Sequence, residues 1–264
     1  MNSSGLALGL ASILLSALHA HAQEDAISLD SLVVTASPTP RAIERIANHV
    51  SILSGEDLRA SGVSHVGEAL RTVAGLHVIR SGSIGAVTSL FLRGGESDYT
   101  LVLVDGMQVN LPGGGFDFAS LTTDNLERIE IVRGPGSALY GSDAMAGVVH
   151  IITRAGKGPP QLTARLGTAS YSEARNELVD GFRWSTDLVG GNERLGYSAS
   201  LSREETDGIL PFNNRHRSTN LSGNARFRAD NVTRMAISLR LTDREYQFPT
   251  DGAGAVVDQN AFSY

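Results

Sequence analysis

The chain has 264 residues, of which 41% are hydrophobic, 19% are charged and 29 are glycine, and its net charge is −6. Few charges with many glycines favour a turn-rich β protein over a helical bundle, and the acidic balance argues against nucleic acid as a partner. The absence of cysteine excludes disulfides, thiolate metal sites and cysteine nucleophiles.

The first segment has the pattern of an export signal. An apolar run over residues 5–18 precedes Ala20, His21 and Ala22, which match a small-x-small cleavage site. We therefore predict that residues 1–22 are a signal peptide and that the mature, exported protein begins at Gln23. The alternative is a buried helix at the start of a cytosolic fold.

The next part of the chain reads as a tail followed by a small α+β domain. Residues 23–50 are polar, and Pro38 and Pro40 interrupt any regular element, whereas residues 51–157 alternate short apolar runs with Gly-rich turns. In chain order, the predicted elements are a helix over 55–60 capped by Ser54, a helix over 64–73, strands over 76–79, 90–92, 101–104, 128–132 and 148–153, and short helices starting at Asp124 and near Ser137.

Residues 158–264 alternate apolar and polar side chains with a period of two, which predicts about five strands of about ten residues. Such strands are long enough to cross a bilayer when tilted, although a soluble sheet with one solvated face gives the same pattern. The export signal favours an outer-membrane barrel. Because the smallest such barrels have about eight strands, we expect the chain to be the N-terminal portion of a longer protein.

No catalytic constellation is visible in the sequence. The seven histidines lack metal-site spacing, there is no Walker motif or dinucleotide fingerprint, and Asp98, Asp105, Asp117 and Asp124 lie in predicted turns where a solvated aspartate is the default. We therefore expect no enzyme activity, no cofactor and no metal site.

Short motifs between residues 90 and 153 indicate a family. They are Phe91-Leu92-Arg93-Gly94, Val102-Leu103-Val104-Asp105-Gly106, Glu127-Arg128-Ile129-Glu130, Val132-Arg133-Gly134-Pro135, Tyr140-Gly141-Ser142-Asp143-Ala144, Gly147-Val148-Val149 and Ile151-Ile152-Thr153. In this order they resemble the plug domain of TonB-dependent outer-membrane receptors, and within that family the vitamin B12 receptors. The resemblance implies an α+β plug domain over 51–157, followed over 158–264 by the first strands of a transmembrane antiparallel β-barrel, which holds about 22 strands when complete.

The resemblance also gives a role to the extended patch in the tail. The segment Asp30, Ser31, Leu32, Val33, Val34, Thr35 and Ala36 resembles the TonB box, in a periplasmic tail over 23–50. An extended, β-branched segment of this kind binds by adding a strand to a sheet edge of its partner, here TonB. The alternative is an ordinary edge strand.

Ligand contacts in the family come from apical plug loops. The positions that match are Val87, Ser89, Glu96, Gly114 and Gly115. Glu96, Gly114 and Gly115 differ in type from the residues of vitamin B12 receptors, so an iron-siderophore stays an alternative ligand to cobalamin. By the same resemblance, Arg93 and Arg133 would contact carboxylates of the barrel wall.

The resemblance implies TonB-dependent active uptake of a scarce, bulky ligand, cobalamin or an iron-siderophore, across the bacterial outer membrane. Its partners would be TonB, with ExbB and ExbD acting indirectly, the transported ligand and outer-membrane lipid, and the plug and TonB box would face the periplasm. A colicin or phage could also dock on such a receptor. The alternative function is that of a truncated, non-transporting periplasmic module that binds or interacts through its plug.

Overall fold

The structure is a computed structural model that describes residues 49–134, 140–169, 181–208, 214–230 and 233–248, with strand pieces at 32–33, 41–42 and 262–263. The predicted signal peptide, most of the predicted tail and the helix predicted near Ser137 lie outside the described residues. The helices are α1 (Gly55–Ala60) and α2 (Val66–Arg71); the strands are β1 (Leu32–Val33), β2 (Arg41–Ala42), β3 (His49–Ser54), β4 (Leu76–Arg80), β5 (Thr88–Leu92), β6 (Thr100–Val104), β7 (Met107–Gln108), β8 (Leu126–Arg133), β9 (Gly147–Thr153), β10 (Gly158–Ala169), β11 (Gly181–Gly191), β12 (Leu195–Thr206), β13 (His216–Arg228), β14 (Arg234–Gln247) and β15 (Phe262–Ser263).

An N-terminal α+β domain, defined here as residues 49–153, is built on a five-stranded sheet in the order β3-β8-β9-β6-β7. Strands β6 and β9 are parallel, and the other neighbours are antiparallel. Strands β4 and β5 form a separate hairpin. The predicted strands of this domain are confirmed, each extended by one to three residues.

The two short helices lie beside this sheet. Helix α1 has the predicted bounds, and the hydroxyl of Ser54 accepts a hydrogen bond of 3.2 Å from the backbone N–H of Glu56. Helix α2 buries Val66, Ala69 and Leu70 completely, because these residues share one face at helical spacing. No α-helix in the described part of the chain has the length and apolarity needed to cross a membrane.

The helix predicted to start at Asp124 is wrong. Residues 122–125 instead form a turn that leads into β8: the backbone N–H of Thr123 donates to Ser64 O at 2.9 Å, and Thr122 forms an isolated bridge with His65. These bonds to a distant segment satisfy the backbone without a helix, and Asn125 takes a positive φ of 60°.

The core of the domain lies between the helices, the β4–β5 hairpin and one face of the five-stranded sheet. Its largest fully buried apolar side chains are Leu70, Leu90, Leu92, Leu126, Ile129, Ile131 and Ile151, whereas Leu101 belongs to a second, smaller cluster with Leu103, Val132, Ala144 and Val148. Phe118 joins the main core and packs edge-on against Phe116, with ring centroids 5.0 Å apart. Close packing reaches the backbone: a Cβ on Gly147 would lie 2.2 Å from Val132 O.

Strands β10 to β15 form a second sheet, here called the C-terminal sheet, in which each strand pairs antiparallel with the next along the chain. The five predicted strands correspond to β10–β14. The connections at one end are short, through residues 192–194 and 229–233; the connections at the other run through 170–180, 207–215 and 248–261. We name these the turn end and the loop end.

The C-terminal sheet has one apolar and one polar face. Its exposed apolar side chains include Leu162, Leu166, Phe182, Leu195, Leu201, Leu221, Phe227, Met235, Ile237, Leu239 and Leu241, with Ile237 72% exposed. On the other face, Ser185, Asp187, Ser198, Ser200, Ser202, Asn220, Ser222 and Asn224 are buried. The polar face therefore turns toward the N-terminal domain, and the exposed face is apolar.

Candidate functional site

The N-terminal domain and the C-terminal sheet meet through polar contacts, and the densest of these is centred on Asp105. This residue follows β6 with a positive φ of 49°, and its side chain is 6% exposed. Its carboxylate accepts from the backbone N–H of Thr153 at 2.9 Å and from the Thr153 hydroxyl at 2.7 Å. Three side chains of the C-terminal sheet donate further hydrogen bonds to this carboxylate: Arg226 at 3.3 Å, Asn224 at 3.3 Å and Ser238 at 3.0 Å.

A second contact lies toward the loop end of the sheet. Arg183 of β11 donates to Asp124 at 2.6 Å and to Glu204 of β12 at 3.1 Å. Oε2 of Glu204 also lies 3.6 Å from Nε2 of His65, the residue that precedes α2. Burial is the main reason that the pKa of His65 falls below its ordinary value, with Glu204 opposing the shift. The ring is therefore neutral near pH 7 and is held by hydrogen bonding and packing.

The third contact is built on Asp117. Its carboxylate accepts from the backbone N–H groups of Thr88 and Ala119, both at 2.9 Å. Arg244 of β14 donates to the same carboxylate at 3.2 Å. One side chain therefore joins two loops of the N-terminal domain to the sheet.

Asp105, Asp117 and Asp124 were predicted to be solvated turn residues, and for these three the prediction is wrong. Each pairs with an arginine of the C-terminal sheet. Sequence position gave no indication of this, because each arginine lies 59 or more residues away along the chain.

The loops that carry the predicted ligand positions lie close together. Asp117 binds the backbone of Thr88, between Val87 and Ser89. A Cβ on Gly115 would lie 2.9 Å from Oγ of Ser97, the neighbour of Glu96. Segment 110–118 therefore contacts both of the other ligand segments, 81–89 and 95–99. Val87 (45% exposed) and Glu96 lie at the surface.

This architecture is similar to that of known proteins. Residues 42–148 match the family model for the TonB-dependent Receptor Plug Domain. The N-terminal domain is a TonB-dependent receptor plug. Strands β10–β15 match the start of the barrel that follows the plug in this family, because structural similarity to receptors of known structure continues past the plug.

Three relatives illustrate the match. The vitamin B12 transporter BtuB of Vibrio vulnificus (strain CMCP6) is 35% identical over 173 residues, covering 66% of this chain and 28% of BtuB. The siderophore receptor PirA of Pseudomonas aeruginosa is 27% identical with a TM-score of 0.57, over 75% of this chain and 36% of PirA. FpvA of P. aeruginosa, bound to a ferric pyoverdine, shares the fold at a TM-score of 0.67 and 14% identity, over 86% of this chain and 30% of FpvA. The chain spans 28% to 43% of the length of the BtuB relatives it matches.

The two arginines predicted to bind the barrel wall have different surroundings. Arg133 is buried in the plug and donates to Ala74 O and to the hydroxyl of Ser51. Burial, together with the charge of Arg93, lowers its pKa. Arg93 is exposed and takes a positive φ of 51°. In the described part of the chain their contacts with wall carboxylates are not seen, and those contacts stay predictions.

The predicted TonB box is described at two positions. Leu32 and Val33 form β1, which pairs antiparallel with β2: Leu32 lies opposite Ala42 and Val33 opposite Arg41. Asp30, Ser31, Val34, Thr35 and Ala36 lie outside the described residues. The backbone at Leu32–Val33 is thus extended, as strand addition requires.

His150 is a buried titratable group within the plug. It lies on β9 beside Asp105, and its Nε2 accepts a hydrogen bond of 2.9 Å from the backbone N–H of Gly106. Burial lowers the pKa of His150, while Glu130 and Asp105 oppose the shift. The neutral ring therefore fixes the turn that presents Asp105 to the C-terminal sheet.

Proposed function

We propose that this chain is the plug and the first barrel strands of a TonB-dependent receptor that takes up cobalamin across the bacterial outer membrane. The observation that carries the proposal is the plug docked on the polar face of a sheet whose other face is apolar. Such a sheet suits a barrel wall with lipid outside and a polar lumen inside. The identity with vitamin B12 transporters favours cobalamin as the ligand, and the likeness to PirA keeps a ferric siderophore as the second candidate.

The contacts between plug and wall fit a plug that must move. They consist of ion pairs and hydrogen bonds around Asp105, Asp117 and Asp124, rather than a shared apolar core. Water can replace such contacts at small cost, whereas separating apolar surfaces costs about 25 cal/mol per Å². In this proposal, TonB binds residues 30–36 by strand addition and pulls on the tail, and the plug then shifts away from the wall. ExbB and ExbD act through TonB.

The orientation follows from the lengths of the connections. Outer-membrane barrels have short periplasmic turns and longer external loops. The loop end of the C-terminal sheet would therefore face outward, and the turn end and the TonB box would face the periplasm. Asp117, which joins the segments 81–89 and 110–118 to β14, lies toward the loop end, because its partner Arg244 is near the end of that strand.

Ligand recognition would use the loops joined by Asp117. In this proposal Val87, Ser89, Glu96, Gly114 and Gly115 contact the ligand from the plug, and Arg93 and Arg133 contact wall carboxylates. The alternative, a periplasmic plug-like module that does not transport, predicts ligand binding or protein interaction without accumulation in the cell.

Equilibrium binding to the purified full-length protein tests the ligand. Cyanocobalamin should bind, and a ferric catecholate siderophore should not compete. Val87→Asp, which puts a charge on an exposed apolar position of the ligand loops, should weaken binding at least tenfold. Met107→Asp is the matched control, because Met107 is similarly exposed (55% against 45%) and lies on β7, outside the three ligand-loop segments. Siderophore binding without cobalamin binding would select the second candidate.

A further inference from the structure

Three metal-binding side chains from separate parts of the chain meet where the plug touches the wall. His65 precedes α2 in the plug, Glu204 lies on β12 and His216 begins β13. One donor atom from each lies within 4.8 Å of the other two. Glu204 and His216 are diagonal neighbours, since Glu204 pairs with Ser218 and Thr206 with His216. The spacing along the sequence gave no indication of this cluster, because it forms only in the folded protein.

His216 is the observation that separates this cluster from an ordinary polar contact. Its side chain is fully buried, and in the described part of the chain neither ring nitrogen has a partner at hydrogen-bond geometry; the backbone of Glu245 makes a looser polar contact with the ring. Leaving a buried polar group without a partner is energetically unfavourable. A cation bound by the ring would provide the missing partner.

The plug closes one side of the His216 ring. A Cβ on Gly85 would lie 2.3 Å from Nδ1 of His216, so glycine is required where the loop passes this ring, and its φ of 89° also favours glycine. With the Nδ1 edge covered by the loop, Nε2 is the nitrogen that would bind a metal.

The other two donors are already oriented. Nδ1 of His65 lies 3.2 Å from the hydroxyl of Ser64, which helps to fix the ring, and this leaves Nε2 directed at Glu204. The separation of 3.6 Å between Nε2 and Oε2 of Glu204 is near the ~3.3–3.5 Å expected for two ligands of one tetrahedral zinc ion. The donor atom of His216 lies within 4.8 Å of both, so a movement of up to about 1.5 Å would complete the site.

The ion pairs around the cluster are balanced, so the ligand set itself is what favours a cation. Asp124 and Glu204 share the guanidinium of Arg183, Arg71 and Arg80 share the carboxylate of Glu68, and Arg244 pairs with Asp117. Two neutral imidazoles with one carboxylate are a common ligand set for zinc and similar ions.

We propose that His65, Glu204 and His216 form a binding site for a divalent transition-metal ion such as Zn²⁺, and that the bound ion ties the plug to strands β12 and β13. This site adjoins the proposed ligand loop 81–89, whose Gly85 packs against His216, but it shares no residue with the proposed ligand contacts or with the TonB box. Because one ligand comes from the plug and two come from the wall, binding the ion stabilises the docked plug, and withdrawing the plug requires the ion to leave.

The test is a titration of the untagged full-length protein in detergent, stripped of metal with a chelator and free of cobalamin and TonB. Zn²⁺ alone, followed by calorimetry, should bind with one ion per chain. Co²⁺ alone should give the visible absorption of a tetrahedral or five-coordinate ion with nitrogen ligands. Glu204→Gln and His216→Ala should each weaken Zn²⁺ binding by more than about 100-fold.

His77→Ala is the matched control, because His77 is an exposed histidine on β4 outside the cluster, and it should bind Zn²⁺ like the parent. If His216→Ala does not fold, the partly exposed His65→Gln decides the question. No stoichiometric binding by the parent, or parent-like binding by the folded His65, Glu204 or His216 variants, would overturn the proposal. Because the titration involves neither cobalamin nor TonB, its failure would leave the transport proposal untouched.

Discussion

Oδ1 of Asp105 and Nη2 of Arg226 lie 3.3 Å apart, although the two residues are separated by 121 positions in the chain. This pair joins the turn after β6 to the inner face of β13. Arg226 also donates to Thr153 O at 2.9 Å, so one guanidinium holds both the Asp105 turn and the end of β9. The attachment of the plug at the turn end of the sheet therefore depends on a small number of charge-assisted hydrogen bonds.

Replacing Asp105 with asparagine should weaken this attachment. Asparagine keeps the shape of the side chain and tolerates the positive φ. The change removes the charge that Arg226 contacts and also replaces one of the two accepting oxygens with an N–H donor. We expect the free energy of unfolding to fall by about 2–3 kcal/mol, as for other buried hydrogen bonds to charged groups. Guanidinium unfolding of the detergent-solubilised protein measures the difference.

Asp98→Asn is the control for this change. Asp98 lies in the short 3₁₀ turn Ser97–Tyr99 and takes part in none of the ion pairs described above, so its replacement should change stability by less than about 0.5 kcal/mol. Equal effects of the two substitutions would contradict the role assigned to Asp105.

Close packing at Gly147 makes a second prediction. A Cβ at this position would lie 2.2 Å from Val132 O and 2.4 Å from Cδ2 of Leu92. Gly147→Ala should therefore force β8 and β9 apart and lower the free energy of unfolding by about 1–3 kcal/mol. Gly167→Ala on β10, where a Cβ meets nothing within 4 Å, should leave the unfolding midpoint unchanged. A tolerated Gly147→Ala would show that the β8–β9 contact is looser than described.

The stability of the plug should decrease in acid through His150. Burial holds its pKa below the ordinary value of 6.5, so the unfolded chain takes up this proton at a higher pH than the folded protein does. The contribution is fully present above about pH 6.5 and is lost as the pH falls toward the lower pKa of the folded state. Protonation of Nε2 would also break the hydrogen bond from Gly106.

His150→Gln tests this assignment, because glutamine can accept the same hydrogen bond and does not titrate. Between pH 7 and pH 5 the variant should lose less stability than the parent, while His65, which also has a lowered pKa, still contributes. The parent and the variant should be compared by unfolding at each pH. Parallel curves would rule out His150 as a source of the acid sensitivity.

Leu32 offers a test of coupling to TonB. Leu32→Pro removes the backbone donor that strand addition requires, so the full-length receptor should lose uptake and keep its affinity for ligand. Leu32→Ala retains the donor and should keep most of the uptake. Equal loss of binding and uptake in the proline variant would indicate that this segment belongs to the plug rather than to a coupling strand.

Local patterns predicted most of the secondary structure. The alternation from residue 158 onward identified β10–β14, because a sheet with one apolar and one polar face repeats every two residues. Ser54 identified the start of α1, because N-capping depends on neighbouring residues. The helix predicted at Asp124 does not form, because the backbone N–H of Thr123 donates a hydrogen bond to Ser64 O. Ser64 is distant in the chain, so no local pattern includes it.

The contacts between plug and wall could not be predicted from the sequence for the same physical reason. Asp117 and Arg244 are brought together by the docking of two separately patterned regions, and each residue on its own reads as a turn aspartate or a polar-face arginine. The cluster of His65, Glu204 and His216 is of this kind too. The plug motifs, in contrast, were readable because they recur in a fixed order.

Accumulation of radiolabelled cyanocobalamin tests the central proposal most directly. The cells should have the full-length receptor as their sole vitamin B12 receptor and should be compared with and without TonB. The account predicts that cobalamin binds to the surface of both strains and accumulates inside the cell only in the strain that has TonB. Equal accumulation in the two strains, or no cobalamin binding in either, would contradict it.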